Sequence, residues 1–162
     1  MNKSFFLGLS LVTLFSVNAF AGNCTSGFVE TAKITINNNM STTALSNGTE
    51  SNIDSKYYGW KTKPPSSIAA QHSASATVGF CCNALSDVDS SKSAYIQYDV
   101  GSNGICNLNF EVKCDRDHEY LKVNTSSCTT ASLATKNSDP NISYTVKDLA
   151  NEETSNLDLD SE

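Results

Sequence analysis

Apolar and polar residues alternate one by one along most of this chain. From Ser73 to Cys82, Ala74, Ala76, Val78 and Phe80 share one side, and Ser73, Ser75, Thr77 and Gly79 the other. From Ser93 to Val100, Ala94, Ile96, Tyr98 and Val100 oppose Ser93, Tyr95, Gln97 and Asp99. The longest run is Ile105 to Cys114, where Cys106, Leu108, Phe110, Val112 and Cys114 alternate with Asn107, Asn109, Glu111 and Lys113. Shorter runs occur at Phe28–Ile36, Thr42–Leu45, Glu119–Thr125 and Ile142–Val146. A period of two marks a strand with one buried and one wet face, the habit of antiparallel sheets. Asn37-Asn38-Asn39, Asn47-Gly48, Lys63-Pro64-Pro65, Ser102-Asn103-Gly104 and Asp139-Pro140-Asn141 favour turns between the runs. No segment sustains the 3.6-residue period of an amphipathic helix. The expected fold is all-β, a single antiparallel β-sandwich of about seven or eight short strands.

The hairpin around Asp115–His118 permits a register. With Arg116 and Asp117 at its tip, Val112 falls opposite Leu121 and Phe110 opposite Val123, apolar against apolar. The same register places Cys106 opposite Ser127, so a one-residue bulge brings it to Cys128. All six cysteines (Cys24, Cys81, Cys82, Cys106, Cys114, Cys128) read as a disulfide framework. Cys106–Cys128 is the favoured pair. Cys106 cannot reach Cys114, because eight residues of one strand separate them by roughly 27 Å. Neighbours Cys81 and Cys82 point to opposite faces and need separate partners, which leaves Cys24 and Cys114 for them.

The start of the chain assigns a compartment. Lys3, the apolar run Phe5–Phe15 and the small-residue pattern Ala19-Phe20-Ala21 read as a signal peptide over residues 1–21. The run is shorter than the ~20 residues of a membrane span, and no later run approaches that length. Asn23 before Cys24 argues against a lipid-anchored first residue. Export to an extracellular or periplasmic space follows, with one domain over 22–147 and an acidic, solvated tail over 148–162. Removing Lys3 changes the net charge from −6 to −7, and the tail contributes six acids and no base. The body is thus nearly neutral, with 11 acids against 10 bases over 22–147. No basic patch is available for nucleic acid.

Catalytic and cofactor chemistry finds no motif. His118 sits among Asp115, Asp117 and Glu119, but adjacent residues in a tip diverge and no second cluster completes a metal set. Asp87-Val88-Asp89-Ser90 starts like a calcium loop, yet Lys92 and Tyr98 stand where Gly and Glu are needed. No G-x-S-x-G surrounds a serine, and no C-x-x-C pair offers a zinc site. The expectation is a protein without enzymatic activity, cofactor or metal.

One aromatic group stands out: Tyr57, Tyr58 and Trp60, flanked by Lys56, Lys61 and Lys63. Two readings are open. Either Trp60, the only tryptophan, closes the core, or the three rings face solvent and meet a sugar or a lipid headgroup.

Lys33-Ile34-Thr35-Ile36-Asn37-Asn38-Asn39, then Gly59-Trp60, Pro64-Pro65-Ser66-Ser67-Ile68 and Ser93-Ala94-Tyr95-Ile96-Gln97-Tyr98, resemble in order the first half of aegerolysins. The match covers residues 28–100 and extends more distantly to actinoporin-like sandwiches. The resemblance implies a small β-sandwich that recognises membrane lipids. This chain departs from the pattern in its six cysteines, and residues 22–27 are too short for a bilayer-perforating helix. The functional expectation is recognition of a lipid or glycan surface; the alternative is a structural or protein-interaction component that uses an exposed strand edge.

Overall fold

The computed structural model describes residues 30–82, 90–115 and 118–150. The expected signal peptide, Cys24, the Asp87–Asp89 segment, the hairpin tip at 116–117 and most of the acidic tail lie outside them. Among the described residues there is no helix. Ten strands form: β1 (Glu30–Asn38), β2 (Leu45–Glu50), β3 (Tyr58–Thr62), β4 (His72–Phe80), β5 (Ser90–Val100), β6 (Gly104–Cys114), β7 (Glu119–Val123), β8 (Ser127–Cys128), β9 (Ser132–Ser138) and β10 (Asn141–Lys147). Sheet I has the order β3-β4-β1-β10-β9; sheet II has β2-β5-β6-β7, with β8 also pairing to β6.

The inward positions of the alternating runs make one core. Ile34, Ile36, Val78, Phe80 and Tyr144 come from sheet I, and Ile96, Tyr98, Leu108, Phe110 and Val112 from sheet II. Each of these rests at 1 % exposure or less. At about 1.5–3 kcal/mol per large apolar side chain, this shared interior is the main stabilising term. Burial also pushes the Tyr98 hydroxyl up to about 12, with the Glu50 carboxylate adding to the shift. Its proton is thereby retained for a 2.8 Å bond to the Pro65 carbonyl.

Three departures from the sequence reading have physical causes. The strand count among the described residues is ten, because β3 and β8 are short and β9 is exposed at six of its seven positions. Such strands carry no alternation to read. The sheets are also not purely antiparallel: β1 and β10 run parallel, with Ile34 opposite Ile142 and Ile36 opposite Tyr144. Finally, two expected turns lie inside strands. Asn47-Gly48 forms a bulge within β2, at a register shift between Ser46 and Thr49, with Asn47 at φ 49°. A side chain at Gly48 would come within 2.6 Å of the Tyr98 ring, so only glycine fits there. Asn37 and Asn38 complete β1, and Asn38 is the one fully buried polar side chain among the described residues.

The β6–β7 hairpin pairs Phe110 with Val123 and Val112 with Leu121. Beyond Val123 the register slips by one residue, so that Cys106 stands opposite Cys128 and the two are disulfide-bonded. Cys82 bonds Cys114, tying the end of β4 in sheet I to the end of β6 in sheet II. Cys81 is also disulfide-bonded.

Candidate functional site

The aromatic candidates separate in the structure. Tyr58 and Trp60 pair with Phe80 and Val78, inward positions of β4, so both rings enter the core at 2 % exposure. Trp60 Nε1 donates to the Ser51 carbonyl at 3.0 Å, and its ring meets Phe110 edge-on at 6.1 Å. Tyr58 meets Phe80 edge-on at 6.5 Å. Only Tyr57 reaches solvent, half-buried, with the Lys56 ammonium 4.7 Å from its ring centre. The three residues share no exposed face; the open choice between core and binding face resolves to core for Tyr58 and Trp60.

The exposed aromatic at the centre of a sheet is Tyr95. It occupies an outward position of β5, is 43 % exposed, and lies directly opposite Asn109 of β6. Where β6 exchanges its partner from β7 to β8, the connecting residues Asn124–Ser126 rise beside the sheet. Asn109 holds that rise in place. Its backbone N–H donates to Ser126 Oγ at 2.7 Å, and its side-chain amide to the Thr125 carbonyl at 2.7 Å. Its carbonyl accepts from the Asn124 N–H at 2.9 Å, from Ser126 Oγ at 3.1 Å and from the buried Tyr144 hydroxyl at 2.7 Å. Burial raises the Tyr144 hydroxyl well above the ordinary tyrosine value, so it remains a donor at any working pH.

The result is a groove of about 380 Å³, lined by Ser93, Ala94, Tyr95, Asn109, Asn124 and Thr125. Among the described residues no charged side chain lines it. Among the described residues, nothing bonds the Tyr95 hydroxyl, the Asn124 side-chain amide, the Thr125 hydroxyl or the Asn109 side-chain oxygen. An apolar ring face thus stands beside several neutral donors and acceptors, a combination suited to a hydroxyl-rich ligand. On one side the rows are committed internally, Gln97 donating to Asn107 at 2.7 Å and Asn47 to Asp99 at 2.7 Å; on the other, Ser93 lies opposite Glu111 and Glu111 opposite Lys122. Tyr95 was visible in the sequence as an aromatic on the polar side of an alternating strand, a place it shares with Tyr120 of β7. Asn124 and Thr125 were not, since their position depends on the register slip.

His118 makes a local link; among the described residues no three His, Cys, Asp or Glu side chains gather as a metal site. Its Nε2 lies 2.7 Å from Asp139, joining the β6–β7 hairpin to the β9–β10 turn. The hydrogen bond that the His118 ring donates to Asp139 raises its pKa above 6.5, opposed by partial desolvation and helped by the charges of Asp139, Asp115 and Glu119. The contribution to stability is therefore complete below the ordinary histidine value and fades as pH rises through the raised one. In an NMR titration, His118 should show a midpoint above 6.5 that falls on Asp139→Asn. An unchanged midpoint in that variant would mean the pair does not form in solution.

Comparison with protein-family models and with curated proteins finds no match for this chain.

Proposed function

We propose that the chain is an exported, non-enzymatic β-sandwich that recognises a neutral glycan through the Tyr95 groove. The observation that carries this reading is a solvent-facing ring among uncharged polar groups that no neighbour engages. A sugar offers both an apolar C–H face for the ring and hydroxyls for the Asn and Thr groups. Paired cysteines support an oxidising compartment outside the cytoplasm.

The lipid alternative, implied by the aegerolysin resemblance, has less support. Among the described residues that line the groove there is no cation to meet a phosphate headgroup. The large exposed apolar side chains among the described residues are only Tyr95, Ile105 and Leu149, too few for a membrane-inserting patch. The strand-edge alternative loses the two edges of sheet II to cover, while β3 and β9 remain the edge strands of sheet I. Ser66 and Ile68 hydrogen-bond along β2, and Leu121 and Val123 of β7 donate to Pro140 and Asn137.

A glycan array followed by calorimetry on the best ligand tests the proposal. Tyr95→Ala should weaken binding about tenfold, since stacking and ring burial are worth roughly 1–1.5 kcal/mol, with an unchanged unfolding midpoint. Tyr95→Phe should retain most affinity. A protein that binds no glycan, or binds equally well after Tyr95→Ala, would refute it.

A further inference from the structure

The outer face of sheet I has a different chemistry from the Tyr95 face. Its outward positions form hydrogen-bonded rows of small polar residues, such as Ser75, Thr35 and Ser143, which end on Lys136. Among the described residues the charges at these positions are Lys33, Lys61, Lys136 and Lys147, all exposed. Among the described residues none of the four has a carboxylate partner, and no Asp or Glu occupies an outward position of this face. In a chain of net charge −6 this is a segregation of charge among the described residues: their acids lie off this face, and the charges on it are cationic. Asp139 and Asp148 stand at its two ends, but Asp139 bonds His118 and Asp148 accepts the Ser41 N–H at 2.8 Å.

From strand spacing and rise, Lys33 and Lys136 are roughly 12 Å apart, and Lys136 and Lys147 roughly 14 Å. The charges are therefore spread over a carpet of hydroxyls and amides and are not focused on one anion. We infer that this face docks an acidic polysaccharide, whose repeated carboxylates meet the lysines while its hydroxyls meet the Ser, Thr and Asn side chains. A bilayer fits less well, because the face offers no aromatic or long aliphatic side chain to enter the interface. The inference is independent of the glycan proposal: it concerns the opposite sheet, an anionic ligand and an ionic-strength-dependent contact.

Immobilised polygalacturonate, with neutral dextran as control, provides the test. The wild-type protein should bind polygalacturonate and not dextran, with affinity falling as salt rises. The triple substitution Lys33→Gln, Lys136→Gln and Lys147→Gln should reduce affinity at least tenfold and flatten the log–log salt dependence by about two to three. Lys92→Gln with Lys122→Gln, exposed lysines of sheet II, should change it far less, and both variants should unfold like the parent. Absence of polygalacturonate binding, an unaffected triple variant, or binding only to phosphatidylserine vesicles would each overturn the inference.

Discussion

Trp60→Ala should lower the unfolding free energy by about 3–5 kcal/mol, read as a shift of the urea midpoint at unchanged slope. Two losses add. Removing the indole empties the volume between β3 of sheet I and Phe110 of sheet II, and a cavity at that junction cannot collapse without moving a sheet. The Ser51 carbonyl also loses its 3.0 Å donor from Nε1. Trp60→Phe keeps much of the volume but not the donor, so it should cost less, about 1–3 kcal/mol. Glycan binding by either variant should survive wherever the fold does, since Trp60 does not line the Tyr95 groove. A Trp60→Ala protein as stable as the parent would contradict the burial on which the two-sheet core rests.

The division between what the sequence reveals and what it conceals follows from how each element is stabilised. Where one face of a strand is buried, the side chains record it. Ile105–Cys114 alternates without a break, and the hairpin register that opposes Phe110 to Val123 follows from matching apolar faces. The edge strands leave no such record. Ser132–Ser138 is held by its ladder to β10, and backbone hydrogen bonds are indifferent to side-chain pattern. The parallel β1–β10 pair was hidden for a related reason: alternation marks a half-buried strand without giving its neighbour's direction. Local rules misled at Asn47-Gly48 and Asn38. There, turn-forming residues serve tertiary needs, a bulge pressed against Tyr98 and an amide that satisfies distant carbonyls. The candidate site shows the same division. Tyr95 could be read from its phase in β5. The wall made by Asn124 and Thr125 required the slip between β7 and β8.

Asn38 supports the other large prediction. Its amide nitrogen donates to the carbonyls of Thr43, Ile68 and Ala69 at 3.0, 3.0 and 3.1 Å, while its oxygen accepts the Met40 N–H at 3.2 Å. One side chain thus closes the end of β1 onto the loop that covers β2. Asn38→Ala strips the Thr43 carbonyl of its donor and the Met40 N–H of its acceptor, while the Ile68 and Ala69 carbonyls keep only the Leu45 and His72 N–H groups; it should cost about 3 kcal/mol. Asn38→Asp is nearly isosteric and should be worse at neutral pH, by about 3–5 kcal/mol, because a buried carboxylate would face three carbonyl oxygens. It should also behave differently with pH. Folding favours the protonated acid, which can still donate one hydrogen bond, so the folded-state pKa rises above the unfolded value of about 3.9. The folded state then binds more protons than the unfolded state, and stability falls as pH climbs from about 4 toward the raised value. Urea titrations between pH 4 and 8 should therefore show Asn38→Asp approaching Asn38→Ala at the acid end and falling below it at neutrality. Parallel pH profiles for the two variants would mean that the carboxylate escapes to solvent, and that this strand end is looser than three hydrogen bonds imply.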